Sequence, residues 1–157
     1  MKPIQIIDQA LLARTSAQAE QSPRLRKNHN FHASDDAVCH RLLNAIEPGS
    51  YVPPHRHLDP NKDELMLVLV GRLGLVWFDE AGTITGQTEL QAGGEVLGVD
   101  IPVGVYHTVL ALAPGTICLE AKAGPYRPLL AQEQAPWAPQ EADAAAAAYL
   151  ARLQALF

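Results

Sequence analysis

Between residues 7 and 21 the apolar side chains recur at helical spacing. Ile7, Leu11, Leu12 and Ala19 share one side, Asp8 stands at the capping position, and Ser22-Pro23 ends the run. The spacing predicts a helix over 7–21. From Arg24 to Gly124 the period shortens to that of strands. Runs rich in Val, Ile, Leu and Thr are broken by Pro48-Gly49, Asp79-Glu80-Ala81-Gly82, Gly93-Gly94 and Ala113-Pro114-Gly115, all of which are turn chemistry. Strands are predicted over 38–46, 50–57, 64–70, 73–79, 95–101, 105–112 and 116–122. Short strands at regular spacing without helices between them point to an all-β sandwich or barrel rather than a βαβ fold. A second helix is predicted near the end of the chain, with Pro139 at its first position and Glu141 and Asp143 at its positive pole. Its apolar stripe, Tyr149, Leu150, Leu153 and Leu156, suits docking on the barrel or on a second subunit. Pro136-Trp137-Ala138-Pro139 reads as a rigid, docked linker before it. The expected division is therefore an N-terminal helical segment over 1–23, a β-barrel over 24–128, and a C-terminal linker and helix over 129–157.

A chain of 157 residues accommodates one domain with its own core. The net charge of −5 excludes a nucleic-acid binder, which needs a basic surface to neutralise phosphates. Arg24, Arg26 and Lys27 are the nearest thing to one, and three cations are expected to be no more than a solvated turn. Met1 to Gln5 lacks the apolar core and small-residue cleavage site of a secretory signal, so none is expected, and no run reaches the roughly 20 apolar residues of a membrane span. Cys39 and Cys118 lie far apart in no CxxC pattern and are expected to be small buried apolar residues, which suits the reducing cytoplasm. The predicted strand 64–70 is apolar on both faces, with Met66, Val68 and Val70 opposing Leu65, Leu67 and Leu69. A strand of that kind needs covering twice, and a homodimer is the expected cover.

The candidate chemistry begins at His55-Arg56-His57. Alternate strand residues share a face, so the two imidazoles are expected on one side and close enough, at about 3.3 Å of rise per residue, to meet one ion. Glu64 opens the next apolar run, and His107 follows the turn Pro102-Val103-Gly104. Three imidazoles and a carboxylate suit one divalent transition metal (Fe, Mn, Co, Ni, Cu or Zn) rather than Ca or Mg. Tyr51 has the strand parity of His55, so it is expected to face inward. Tyr51 and His32 are the candidate proton donors or acceptors. Arg26, Asn30 and Lys62 lie in segments able to close the barrel mouth and hold a ligand, Arg26 and Lys62 suiting an anionic group. His29 and His40 are expected to be structural. No GxSxG elbow, GxxxxGK[ST] loop or GxGxxG turn is present, which counts against hydrolase, nucleotide-triphosphatase and NAD-dependent chemistry.

These residues resemble the cupin motifs. Five residues separate Gly49 from His55 and six separate Glu64 from Gly71, as in the first motif, while Pro102, Gly104 and His107 match the second. Six residues lie between His57 and Glu64 where cupins have three or four, which implies a longer loop. Ala111 stands where the second motif has Asn. The resemblance implies a mainly β, single-domain cupin, a double-stranded β-helix or jelly-roll barrel, here with short N-terminal and C-terminal helices. It implies metal ligation by His55, His57, Glu64 and His107.

The chain as a whole resembles the WbuC-type cupin-fold metalloproteins. The likeness runs through Ser22-Pro23-Arg24-Leu25-Arg26-Lys27-Asn28, Asn30-Phe31-His32, Arg41-Leu42-Leu43-Asn44, Gly124-Pro125-Tyr126 and Ala135-Pro136-Trp137-Ala138-Pro139. Members of that family are associated with O-antigen and lipopolysaccharide gene clusters, and no reaction is securely attached to them. Four protein ligands would close a tetrahedral Zn site but leave two positions open on an octahedral metal. Three readings stay open. One is an isomerase- or epimerase-like enzyme that uses Lewis-acid catalysis on a small, sugar-like substrate. The others are a carbohydrate-binding module without turnover and an Fe(II)-dependent dioxygenase.

Overall fold

Burial along the chain switches between the two periods the sequence predicts. The structure is a computed structural model that describes residues 3–157; residues 1 and 2, where the expected N-terminal segment begins, lie outside the described residues. Helix α1 (Gln9–Glu20) precedes eight strands: β1 (Arg26–Asn30), β2 (Cys39–Ile46), β3 (Glu64–Val70), β4 (Arg72–Phe78), β5 (Ile84–Gln91), β6 (Gly98–Ile101), β7 (Tyr106–Ala111) and β8 (Thr116–Ala123). A single 3₁₀ turn (Ala131–Glu133) and helix α2 (Ala146–Gln154) follow. The strands form two antiparallel sheets, β1-β2-β8-β3-β6 and β5-β4-β7.

The two sheets close on one core. Ile46, Met66, Val68 and Cys118 from the larger sheet meet Leu73, Leu75, Leu90, Val109 and Ala111 from the smaller one. Each helix covers an outer face. In α1, Asp8 caps the start by accepting from Leu11 N–H at 2.8 Å, and Leu11, Leu12 and Ala19 pack on Leu43, Ala45 and Ile117. Ala146, Leu150 and Leu153 of α2 pack with Val76, Phe78 and Leu110 of the smaller sheet. The stripe expected at 149–156 thus docks on its own barrel. Among the described residues no helix is long and apolar enough to cross a membrane.

Several expectations need correction. Residues 50–57 do not form a strand: Pro53 and Pro54 have no N–H to give a ladder, and only His55 makes isolated bridges, to His107 and Gln134. Pro139 does not open a helix. The Asp143 carboxylate accepts from Gln140 N–H at 2.7 Å and holds a turn there, so α2 begins at Ala146. Strands β1 and β5 were not expected, because Arg26–Asn30 and Ile84–Gln91 are polar outer strands without a clean apolar alternation. Cys39 is exposed at the start of β2, whereas Cys118 is buried as expected. The outer face of β3 is as apolar as its sequence reads: Leu65, Leu67 and Leu69 are 42%, 37% and 36% exposed, while Met66 and Val68 are buried.

Candidate metal centre

The residues around the His pair are held by backbone bonds in place of a regular strand. His55 N–H donates to His107 O at 3.0 Å and His107 N–H returns the bond at 2.9 Å, which sets their imidazoles side by side, with ring centroids 4.7 Å apart. Two residues on, His57 O accepts from Gly104 N–H at 2.8 Å. Gly104 has φ of +85°, a conformation that favours glycine, and it turns the chain from Pro102 into β7, where His107 is the second residue. Glu64 is the first residue of β3, paired across the sheet with Ile101 and Lys122.

Local carbonyls orient two of the rings. The Nδ1 atoms of His55 and His107 lie 3.0 Å from Pro53 O and Val105 O respectively. A carbonyl only accepts, so in the neutral ring Nδ1 carries the proton and Nε2 presents its lone pair. Both His57 Nε2, at 3.2 Å, and His107 Nε2, at 3.5 Å, approach Glu64 Oε2. Neither approach has hydrogen-bond geometry, and all three atoms are buried without a hydrogen-bond partner. Buried polar atoms are seldom left so, and three converging unpartnered atoms fit a cation held between them. The ligand atoms of His55, His57 and Glu64 lie within 4.8 Å of one another. His107 joins this group through its approach to Glu64.

The electrostatics favour the ligating protonation states. Burial, reinforced by His107, lowers the His55 pKa to about 3, so its ring is neutral. Burial alone would raise the Glu64 carboxyl, but Lys122 and then the neighbouring imidazoles outweigh it and hold Glu64 well below the usual carboxylate range. Burial likewise opposes a charge on Lys122, yet Glu64 and Glu120 carry its pKa above the ordinary value. Glu120 itself is pushed up to about 7, first by burial and then by Glu64.

The centre lies in an open cavity of about 1070 Å³. Arg26, Asn30 and Lys62 are among the residues that line it. Lys62 Nζ donates to Pro125 O at 3.0 Å. The Arg26 guanidinium is already engaged by Glu141, Ser50 Oγ and the Tyr51 carbonyl, which makes it a clamp on the C-terminal segment. Neither of the two candidate proton-transfer residues lines the cavity. Tyr51 is buried against α2 and its hydroxyl donates to Pro139 O at 2.8 Å; the irregular 50–57 segment breaks the parity that would have turned it inward. His32 pairs through Nδ1 with the Arg41 backbone and stacks at 3.9 Å on His40, which lines the cavity, so it stands behind the wall without lining it. Sequence reasoning missed Glu120 and Lys122, which line the cavity beside Glu64. Their signal was parity: both share the inward face of β8 with Cys118.

Two antiparallel sheets closing on one core, with a short helix at each end of the chain, make this a cupin-fold protein. Solved structures similar to the chain agree on the fold. KdgF from Halomonas sp. has a TM-score of 0.51 at 17% identity, covering 68% of this chain and 84% of that one. The conserved SPY1581 protein of unknown function from Streptococcus pyogenes has 0.53 at 10%, covering 81% and 93%. BH2720 from Bacillus halodurans has 0.53 at 17%, covering 80% and 86%. The chain belongs to the family described as domain of unknown function DUF6016, which matches residues 7–90. No curated protein matches it.

Proposed function

We propose that this cupin holds one divalent transition metal through His55, His57, Glu64 and His107 and acts as a Lewis-acid enzyme on a small polar, sugar-like molecule. The convergence of three buried, unpartnered ligand atoms at the cavity supports this reading above any other observation. Soft-to-borderline nitrogen donors with one carboxylate oxygen favour Fe, Mn, Co, Ni or Zn. A metal bound there supplies polarisation of a ligand carbonyl or hydroxyl. The chain's own residues prepare for it: Pro53 and Val105 carbonyls keep the His55 and His107 lone pairs aimed inward, and Lys122 keeps Glu64 ionised. Lys62 and Asn30 at the cavity wall are the groups left to hold the ligand.

The WbuC-type resemblance makes lipopolysaccharide or O-antigen biosynthesis in the cytoplasm the setting of this reading. The exposed leucines of β3 make a homodimer part of it. The test is metal analysis by mass spectrometry on protein purified without a His tag or added metal, beside Glu64→Ala. About one transition-metal ion per chain, lost in the variant, is expected; no metal in any preparation overturns the proposal. A loaded protein that binds sugars without converting them would instead be a binding module. Oxygen uptake by the Fe(II) form, absent under anaerobic conditions, would make it a dioxygenase.

A further inference from the structure

A second buried carboxylate stands beside the centre and is not one of its four ligands. Glu120 precedes Lys122 by two residues, so both side chains leave the same face of β8, and Lys122 pairs across the sheet with Glu64. One ammonium serves both acids: Lys122 Nζ lies 2.5 Å from Glu120 Oε1 and 3.4 Å from Glu64 Oε1. The remaining Glu120 oxygen, Oε2, accepts from Asn44 Nδ2 at 3.4 Å. Glu120 therefore has both oxygens held by protein donors. Glu64 has one oxygen on Lys122 and turns the other toward His57 and His107.

Burying two carboxylates with one ammonium is costly, and apolar residues of the same size would serve the core as well or better. The arrangement makes sense if the two acids must be kept apart in role. An unrestrained carboxylate this close to a divalent cation would be drawn to it, because attraction in a poorly solvated site is far stronger than in water. We propose that Lys122 is a positioning residue. It leaves Glu64 to face the metal through a single oxygen and withholds Glu120, so that Glu120 does not take a coordination position meant for an incoming ligand. This rests on the metal-centre reading above.

Mn(II) is the probe, and the full chain is titrated with it. Two quantities are read: affinity by competition with a chelator, and the water-proton relaxivity of the bound ion, which reports exchangeable waters. In Lys122→Met the freed Glu120 should coordinate, tightening Mn(II) by about tenfold and lowering the relaxivity, within the range that residues around metal ligands usually command. Lys122→Met with Glu120→Gln should restore the relaxivity, which a merely structural role for Lys122 would not do. Glu120→Gln alone leaves the ammonium only Glu64 to pair with, so affinity should fall several-fold at unchanged relaxivity. This variant decides the matter if Lys122→Met does not fold. Wild-type affinity and relaxivity in Lys122→Met, or unchanged or tighter binding in Glu120→Gln, would overturn the proposal and leave the metal centre standing. A wild-type chain that binds no Mn(II) or any other metal would overturn both.

Discussion

Replacing His55 by Gln in the metal-free protein should remove a specific pH dependence of stability. The folded state lowers the His55 pKa from an ordinary 6.5 to about 3, chiefly by burial. Between those values the unfolded chain carries a proton on this ring and the folded chain does not. Stability contributed by the neutral ring is then fully present above pH 6.5 and is lost as pH falls toward 3, at about 1.4 kcal/mol per pH unit. Over the two units from 6.5 to 4.5 the loss comes to about 3 kcal/mol. Glu120 works the other way: its pKa is raised from 4.5 to about 7, so the folded state holds the extra proton and gains stability as pH falls through that window. The two slopes oppose each other in the wild type, which is why the variant is needed. Urea unfolding in a chelating buffer at half-unit steps from pH 7.5 to 4.5 gives the difference in unfolding free energy between wild type and His55→Gln. That difference should be constant above pH 6.5 and should shift against the wild type by about 1.4 kcal/mol per unit below it. A difference that stays flat across the whole range would refute the assignment of a buried, neutral imidazole.

Three further outcomes follow from the packing. Leu75→Ala, which empties a site between the two sheets, should cost about 2–5 kcal/mol in denaturant unfolding. Tyr51→Phe should lose about 1 kcal/mol with its bond to Pro139 O while leaving metal stoichiometry unchanged; loss of metal would place the hydroxyl at the cavity after all. Leu67→Glu on the outer face of β3 should convert a dimer to a monomer by light scattering, and a wild type already monomeric at micromolar concentration would dispose of the dimer.

Recognition from sequence was uneven for physical reasons. Strand β3 was legible to the residue because after Glu64 it is an unbroken apolar run on both faces, bounded by Asp63 and Gly71. Strands β1 and β5 were invisible because an outer strand can be polar along most of its length, as β5 is apart from Ile84 and the buried Leu90, and still be held by backbone bonds to one neighbour. The His55–His57 pair was found by strand parity although the segment is not a strand. Two bonds between His55 and His107, and one from Gly104 to His57, do the work that a ladder would have done. The same parity failed for Tyr51, four residues earlier and on the far side of two prolines.

The β-rich class, the two terminal helices, and the residue types and spacing of the candidate ligands were legible along the chain, because strand and helix periods and motif spacing are local properties. Which polar groups share a buried volume was settled by the fold. It set Lys122 between Glu64 and Glu120, turned Tyr51 toward α2, put His32 behind His40, and engaged Arg26 with Glu141. Those outcomes depend on cross-strand register and on chain segments far apart in sequence, and no local pattern carries either.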